Sequence, residues 1–394
     1  MITKDCTCAQ GKHAAPVDGY LIDAGALGRL GEFIAPYGRV YMVADETTYR
    51  VAGARVRALL EEQGKLFSCL VLPEHPLPDY TTFGNILVHL NDPKADSDLF
   101  APSPLPDLIL AVGSGTVNDS CRLVAYRVGV PYGVVATAPS MDGYLSAGTP
   151  ALFDGTKATI KCTTPRFLVA DTLILKDAPW EMLLAGIGDM FGKYTGLLDW
   201  ELARDYRGEY YCEKIAADVL AATTACLENG ARLQERDPAV IKSVMEGFVV
   251  TGLGMAFTGT SRPASGAEHI VAHTWELQDV KAGRTPNLHG LEVCEATRLI
   301  ADMYLILRDE TDDAHLKALI DAYAPYFARV ETFCAENRVP APVRDETRIR
   351  DSVRAALNLR KRYTILYYLE ENGQLDRYAA LAAERLVKKI REES

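Results

Sequence analysis

The sequence predicts an α/β protein in two parts: a Rossmann-like parallel-sheet domain over residues 1–175, then an all-helical domain over residues 176–394. In the first part, short apolar runs alternate with segments of helical periodicity, a pattern typical of parallel strands covered by helices. In the second part, helical periodicity persists and no alternating β pattern does. The change comes near Pro179, which suits the first turn of a helix.

The clearest strand is the apolar run over 107–112, which ends in glycines. Further apolar runs predict strands over 39–44, 66–72, 132–137 and 167–171. Helical periodicity in the first part covers 47–63 and 116–128. Prolines and polar residues between 74 and 106 predict a surface excursion or an irregular insertion. In the second part, the predicted helices cover 179–203, 211–234, 239–257, 267–282, 291–308, 313–337, 346–359 and 375–391.

Composition excludes several classes of protein. With 394 residues and 48% hydrophobic content, the chain can bury sizeable cores, so disorder is excluded as its main state. Apolar runs such as 108–112 and 366–369 fall far short of the ~20 residues that span a membrane. Residues 1–19 lack the apolar core of a signal peptide. A net charge of −11 argues against nucleic-acid binding. We expect a cytoplasmic protein without membrane insertion.

The cysteines are expected to be reduced thiols. There are nine of them, an odd number, in a chain without an export signal. Cys6 and Cys8 form an isolated Cys-x-Cys, whereas zinc sites usually need a second pair at a set spacing. The sequence therefore predicts no metal site at these two residues.

A strand that runs into a glycine turn and a helix is the first candidate ligand site. Residues 107–116 read DLILAVGSGT. Glycines let the backbone approach a ligand closely, and the helix start offers free N–H groups to a diphosphate. The third glycine of the common dinucleotide fingerprint is missing, so a bare strand-to-helix turn explains the motif equally well.

Two further strand ends fit the same interpretation. Asp45 follows the strand over 39–44, where a carboxylate could accept hydrogen bonds from an adenosine ribose; it equally suits an N-cap of the next helix. The segment 137–140 (TAPS) closes another strand with small hydroxyl residues, as a loop along a cofactor would, although ordinary turn chemistry also explains it.

Three histidines and an aspartate form the second candidate site. His269 and His273 are four residues apart and share one helix face, and His289 stands at the entry to the next helix. Asp189 lies in an apolar stretch, where an ionised carboxylate is costly to bury without a cation or donors. One carboxylate plus two imidazoles is the composition of a catalytic divalent site. The alternative is a packed core in which these groups make ordinary hydrogen bonds.

Glycines repeat every four residues along the helix that carries Asp189. Gly188, Gly192 and Gly196 form a flat ridge on which another element or a cofactor can come close. Because each glycine costs helix stability, the ridge needs a packing reason.

Taken together, these motifs resemble the bacterial sn-glycerol-1-phosphate dehydrogenases, within the iron-containing alcohol dehydrogenase and dehydroquinate synthase-like fold group. The resemblance covers about residues 25–308. It is carried by GSGTVND at 113–119, TAPSMDGYLS at 137–146, PRFLVADTLIL at 165–175, GIGDMFGKYTGLLDWELA at 186–203, SGAEHIVAHTWE at 265–276 and LHGLEV at 288–293.

The resemblance implies a role for each matched residue. Asp189, His269 and His289 hold a divalent metal, zinc or nickel in preference to iron. Asp142, Asp189 and His273 face the substrate, with Asp142 and His273 as catalytic residues. The residues that line NAD(H) or NADP(H) are Asp45, Gly113, Ser114, Gly115, Thr116, Val117, Thr137, Ala138, Pro139, Ser140 and Ser146. Ser114 departs from the all-glycine turn common in the group. Lys161 and Arg262 are candidates for binding the substrate phosphate.

The expected activity is the NAD(P)-dependent, metal-dependent reversible reduction of dihydroxyacetone phosphate to sn-glycerol 1-phosphate, for phospholipid biosynthesis. Asp45 favours NAD because its charge repels a 2′-phosphate, although related enzymes use both cofactors. A homodimer is expected from the family. The alternatives are a glycerol-type polyol dehydrogenase on the same fold, a dehydroquinate-synthase-like lyase, and a nucleotide-binding protein without catalysis.

Overall fold

A computed structural model of the chain describes residues 1–90, 104–153 and 156–393. The chain divides into two compact units. The first contains Met1–Lys4, Ala14–Pro179 and Leu233–Ala256, and the second contains Asp5–His13, Trp180–Arg232 and Phe257–Ser394. The chain passes from the first unit to the second near residue 179. Two segments depart from this order: residues 5–13 belong to the second unit, and residues 233–256 belong to the first. Periodicity predicts that a segment is helical, and it does not say against which neighbours the segment packs.

The first unit is built on a six-stranded parallel sheet. The strands of the described residues are β1 (Ile2–Lys4), β2 (His13–Ala15), β3 (Gly19–Asp23), β4 (Val40–Asp45), β5 (Leu66–Leu72), β6 (Leu108–Gly113), β7 (Tyr132–Ala136), β8 (Gly148–Phe153), β9 (Thr156–Lys161) and β10 (Phe167–Asp171). The sheet order is β3-β10-β7-β6-β4-β5, and every neighbouring pair is parallel. An antiparallel hairpin pairs β8 with β9, and β1 pairs with β2.

The helices are α1 (Leu30–Ile34), α2 (Glu46–Thr48), α3 (Ala54–Glu62), α4 (Tyr80–Val88), α5 (Gly115–Val128), α6 (Thr172–Leu175), α7 (Trp180–Arg207), α8 (Glu213–Gly230), α9 (Pro238–Thr258), α10 (Ala267–Lys281), α11 (His289–Glu310), α12 (Ala314–Asn337), α13 (Glu346–Leu359), α14 (Ile365–Glu371) and α15 (Leu375–Glu393). A π-helix over Tyr49–Gly53 joins α2 to α3, and short 3₁₀ helices cover Ala26–Arg29, Gly143–Leu145 and Leu233–Glu235.

The predicted fold class is confirmed, and all five predicted strands are present as β4, β5, β6, β7 and β10. The prediction missed the half-exposed edge strand β3 and the largely polar β9, because neither carries a buried apolar run. The prediction of irregular structure between 74 and 106 is wrong at α4, which is a helix. Asp79 caps this helix by accepting a hydrogen bond from the Thr82 N–H. Residues 91–103 of that segment lie outside the described part.

By length and composition alone, helix α9 is long and apolar enough to cross a membrane. Uninterrupted apolar runs in the sequence did not reveal this candidate span. Lys242 and Glu246 interrupt its apolar sequence. In the structure, 61% of its apolar window is buried inside the protein. A core helix of a soluble protein passes the same test, so this helix is weak evidence for a membrane span.

The glycine ridge of the second unit explains how α7 approaches α11. A Cβ atom added to Gly188 would lie 2.5 Å from the carbonyl oxygen of Gly290, and one added to Gly192 would lie 2.8 Å from Cγ1 of Val293. Only glycine lets the two helices come this close. The ridge therefore has a packing reason, and it brings the α7 residue Asp189 beside the start of α11.

Candidate metal and cofactor sites

The structure brings together the three predicted metal ligands within the second unit. Asp189 lies on α7, His269 on α10, and His289 is the first residue of α11. One ligating atom of each lies within 4.8 Å of the other two. The Oδ1 atom of Asp189 is 3.3 Å from Nε2 of His269. A carboxylate and two imidazoles at this spacing fit the coordination sphere of one divalent cation.

Each histidine of this group is held by a buried carboxylate. The Nδ1 atom of His269 lies 2.8 Å from Oε1 of Glu268, and the Nδ1 atom of His289 lies 2.7 Å from Oε1 of Glu276. Because a carboxylate accepts hydrogen bonds, each Nδ1 donates to its glutamate, and the Nε2 atom of each ring is the one that would bind a metal in place of a proton. This second layer of contacts is the main structural evidence that the residues fit a metal.

Lys193 also contacts this group and is not among the residues that the sequence predicts for the site. Its Nζ atom lies 2.8 Å from Oδ1 of Asp189, one helical turn away, and both side chains are fully buried. Burial by itself would raise the pKa of Asp189, but the charge of Lys193 and the hydrogen bond from His269 hold that pKa well below its usual range. These contacts favour the ionised carboxylate of Asp189, which is the form that binds a cation. The four-residue spacing of Asp189 and Lys193 was a signal for this pair.

His273 lies beside the group and not within it. Its ring stacks on that of His289, with centroids 5.3 Å apart and planes at 26°. The ligating atoms of His273, Glu276 and His289 also lie within 4.8 Å of one another. Asp189, however, groups with His269 and His289. His273 therefore adjoins the group formed by Asp189, His269 and His289, and its contact with a substrate stays a prediction.

The predicted cofactor residues of the first unit follow the carboxyl ends of three adjacent strands. Ala44 pairs with Val112, and Gly113 pairs with Ala136, so Asp45, the glycine turn 113–117 and the loop 137–140 share one edge of the sheet. Beside β4, the chain adds β5 on one side and β6 on the other, so the order of strand addition reverses between β4 and β6. In open parallel sheets, ligands bind at such a switch point.

Two of these loops are linked by serine hydroxyls. The Oγ atoms of Ser114 and Ser140 lie 2.5 Å apart. The side chain of Ser114 makes no capping hydrogen bond to α5, so it leaves the N–H groups of the first turn to other partners. A Cβ atom at Gly113 would lie 2.6 Å from Cβ of Val117, which explains the glycine. The serine that departs from the all-glycine turn thus ties the turn to the neighbouring loop.

Asp45 caps the helix that follows it. Its Oδ1 atom accepts a hydrogen bond of 2.7 Å from the Thr48 N–H, and the residue is buried. The N-cap alternative therefore describes the structure, and binding of a ribose by Asp45 stays a prediction.

Arg122 holds the loop that carries Asp142 and Ser146. Its fully buried guanidinium donates to the carbonyl oxygens of Gly143 and Gly148, at 2.5 and 2.7 Å. Ser146 donates to the same Gly148 carbonyl at 3.0 Å, and Asp142 is buried immediately before the Gly143–Leu145 turn. Nothing in the local sequence distinguishes Arg122 from an exposed helix residue, so its positioning role could not be predicted.

The two candidate phosphate ligands differ in their surroundings. Arg262 is buried and donates to the carboxylate of Glu209 and to the carbonyl oxygen of Tyr363. Most of its donor groups are thus used inside the second unit, which makes it a poor candidate. Lys161 is exposed at the end of β9.

Comparison with known proteins agrees with these observations. Residues 21–179 match the family model described as iron-containing alcohol dehydrogenase. Over 382 residues, the chain is 34% identical to a glycerol-1-phosphate dehydrogenase (NAD(P)+) of Bacillus velezensis, with 93% of this chain and 95% of that protein covered. The chain belongs to the glycerol-1-phosphate dehydrogenase family. The resemblance inferred from the motifs is therefore confirmed.

Other relatives extend this assignment. A glycerol-1-phosphate dehydrogenase (NAD(P)+) of Bacillus licheniformis is 32% identical, with 94% of this chain and 93% of that protein covered. An iron-containing alcohol dehydrogenase structure from Thermococcus thioreducens superposes with a TM-score of 0.71 at 13% identity, with 94% of this chain and 99% of that chain covered. At that identity, the likeness supports the fold alone.

Proposed function

We propose that this chain catalyses the NAD(P)-dependent reversible reduction of dihydroxyacetone phosphate to sn-glycerol 1-phosphate, as a cytoplasmic homodimer. One observation carries the proposal. Asp189, His269 and His289 form a metal-ligand group with carboxylate-held imidazoles, in a chain 34% identical to a protein named for this activity. The activity would supply glycerol phosphate for phospholipid synthesis.

Different residues of the chain would have different roles in this reaction. Asp189, His269 and His289 would hold a divalent cation, whose chemistry would be Lewis-acid polarisation of the substrate carbonyl, and the dinucleotide would be the source of the hydride. Asp142 would accept a hydrogen bond from a substrate hydroxyl. His273 would orient the substrate or pass a proton to it, which suits an imidazole near neutral pH. Glu268 and Glu276 keep the two ligand rings in place.

The donor set supports zinc, nickel or iron(II), and the family resemblance favours zinc or nickel. In the first unit, the residues at the ends of β4, β6 and β7 would bind the dinucleotide. Asp45 would favour NADH by repelling the 2′-phosphate of NADPH. Lys161 remains the better of the two candidates for the substrate phosphate because Arg262 is already paired with Glu209.

The test is NADH oxidation by metal-stripped protein reloaded with zinc or nickel, with dihydroxyacetone phosphate compared against dihydroxyacetone. We expect metal-dependent oxidation with the phosphate ester alone, and a product that a dehydrogenase specific for sn-glycerol 3-phosphate does not oxidise. Equal rates with both ketones would favour a polyol dehydrogenase. Oxidation with neither would favour a dehydroquinate-synthase-like lyase or a nucleotide-binding protein without catalysis.

A ligand variant tests the same proposal at the metal. His269→Ala should lose both bound metal and turnover. His315→Ala is a matched control because His315 is exposed on α12 and pairs with Asp205. A His269→Ala protein that stays metal-loaded and active would contradict the ligand assignment.

A further inference from the structure

A second cluster of metal-ligating atoms lies in the second unit and shares no residue with the first. Cys6, Cys8, His13 and Cys212 each offer one ligating atom, and the four atoms all lie within 4.8 Å of one another. The Sγ atoms of Cys6 and Cys212 are 3.5 Å apart. The Nε2 atom of His13 lies 3.4 Å from Sγ of Cys8 and 3.5 Å from Sγ of Cys212. We call these four residues the cysteine cluster.

These separations match the edges of a zinc coordination tetrahedron. Zinc–sulfur bonds of about 2.3 Å and zinc–nitrogen bonds of about 2.0–2.1 Å place neighbouring tetrahedral ligands roughly 3.5–3.8 Å apart. Three cysteines and one histidine are also an established ligand set for structural zinc. All nine cysteines of the chain are free thiols in the structure, so none of the cluster is used in a disulfide.

The surroundings of the cluster orient its donor atoms. The Nδ1 atom of His13 lies 3.1 Å from the carbonyl oxygen of Phe257 and donates to it, which turns Nε2 towards the three sulfur atoms. The hydroxyl of Tyr210 lies 3.2 Å from Sγ of Cys8, and the backbone N–H of Cys8 points at Sγ of Cys6. Hydrogen bonds to the sulfurs stabilise thiolates, the form that binds a metal.

Burial supports the same conclusion. The two chain segments that carry the cluster also contact each other beside it, since the Nζ atom of Lys214 donates to the carbonyl oxygen of Asp5, the residue before Cys6, at 2.9 Å. The side chains of His13 and Cys212 are buried, and those of Cys6 and Cys8 are half-buried. A site that is enclosed on one side and reachable on the other lets an ion enter.

We propose that Cys6, Cys8, His13 and Cys212 bind one structural zinc ion, in addition to the metal at Asp189, His269 and His289. Four protein ligands fill a tetrahedral sphere and leave no open position for a substrate, so this ion holds the fold and takes no part in turnover. It fastens the segment Asp5–His13 to the start of α8, where Cys212 is the N-cap residue. This proposal does not depend on the proposed activity.

Cobalt substitution separates the two metals in the reduced full-length protein. Among the groups of metal-ligating residues in the described part of the chain, only the cysteine cluster contains sulfur, so a thiolate-to-cobalt charge-transfer band reports on that cluster. We expect the band in the wild type and in His289→Ala, and its loss in Cys8→Ser. Cys69→Ser is the matched control, since Cys69 lies in β5 and belongs to no ligand group. Zinc analysis should show Cys8→Ser one equivalent per chain below the wild type.

Alkylation of the wild type gives a test that does not require a variant to fold. Cys6 and Cys8 should resist alkylation in the zinc-loaded protein and react once a chelator removes the zinc. Three results would overturn the proposal: no charge-transfer band in the wild type, a band of equal strength in Cys8→Ser, or a disulfide between Cys6 and Cys212 as the form in the freshly purified protein.

Discussion

The Nδ1 atom of His289 lies 2.7 Å from Oε1 of Glu276, so a helix α10 carboxylate orients a ring at the start of α11. The pair joins two helices on either side of the 282–288 turn, and it leaves Nε2 of His289 available to a cation. Glu276 follows His273 by three residues on the same helix. One helix therefore supplies a proposed ligand in His269, a proposed catalytic residue in His273 and the carboxylate that orients a second ligand.

Removing the charge of Glu276 should weaken metal binding without removing a ligand. We expect Glu276→Gln to lower the affinity for zinc or nickel by about 10–100-fold, because His289 loses the carboxylate that fixes its ring and raises its basicity. Competition with a coloured chelator measures this. Turnover should recover at saturating metal. Glu346→Gln, at an exposed position on α13, serves as the control. Equal affinities in the two variants would argue against the role of Glu276.

Lys193 should stabilise the metal-free protein, in which it pairs with Asp189, and should matter less once a metal is bound there. In Lys193→Met, the buried carboxylate of Asp189 loses its cation, and breaking such a pair costs about 3–5 kcal/mol. A bound metal would restore the missing positive charge. We therefore expect a lower melting temperature for the metal-free variant and a larger rise on adding metal than in the wild type. Lys388→Met, at an exposed site, should behave like the wild type.

The glycine ridge gives a prediction about packing. Gly188→Ala would place a Cβ atom 2.5 Å from the Gly290 carbonyl oxygen, so α7 and α11 would have to separate. We expect a loss of about 1–3 kcal/mol in the free energy of unfolding. Gly84→Ala is the matched control, because Gly84 is also inside a helix and a Cβ atom there meets nothing within 4 Å. That control should gain about 0.5–1 kcal/mol. Similar denaturation midpoints for both would contradict the packing argument.

Glu295 should make stability depend on pH. The residue is buried on α11, and burial raises the pKa of its carboxyl to about 8, although the Val343 N–H at 2.9 Å and the charge of Arg298 act against this shift. The folded state therefore keeps a proton that the unfolded state releases near its ordinary pKa of 4.5. The contribution of Glu295 to the free energy of unfolding therefore falls as the pH rises from about 4.5 to about 8, and it stays constant above about 8.

Glu295→Gln tests this slope, since glutamine does not ionise. The stability of the variant relative to the wild type should increase as the pH rises from about 5 to about 8, measured by chemical denaturation at each pH. Glu346→Gln should follow the wild type throughout. A constant difference between Glu295→Gln and the wild type would show that Glu295 is already ionised in the folded protein.

Asp45 should influence the choice of cofactor. Asn also caps helices, so Asp45→Asn keeps the hydrogen bond to Thr48 while it removes the negative charge. We expect kcat/KM for NADPH to rise relative to that for NADH by roughly tenfold or more, because one charge repulsion is lost. Asp79→Asn, at the cap of α4, is the control for an equivalent change elsewhere. An unchanged ratio would place the ribose away from Asp45.

Local patterns in the sequence were enough to predict much of this protein. Buried strands such as β6 appear as apolar runs, because a strand covered on both faces must be apolar along its length. The glycine turn after β6 and the spacing of His269 and His273 are likewise properties of a few consecutive residues. The fold class and the candidate ligands follow from such runs and spacings, and the order of the motifs identified the family.

The remaining features depend on residues that are far apart in the chain. Cys212 completes a cluster with Cys6 and Cys8 from a position 206 residues beyond Cys6. Residues 233–256 belong to the first unit, although residues 180–232, which precede them in the chain, belong to the second. Periodicity records which face of an element is buried, but the partner of that face is selected by the shape and charge of surfaces that form only after folding. For that reason, the cysteine cluster became visible only in three dimensions, as did the pairing of Glu276 with His289 across the turn between their helices.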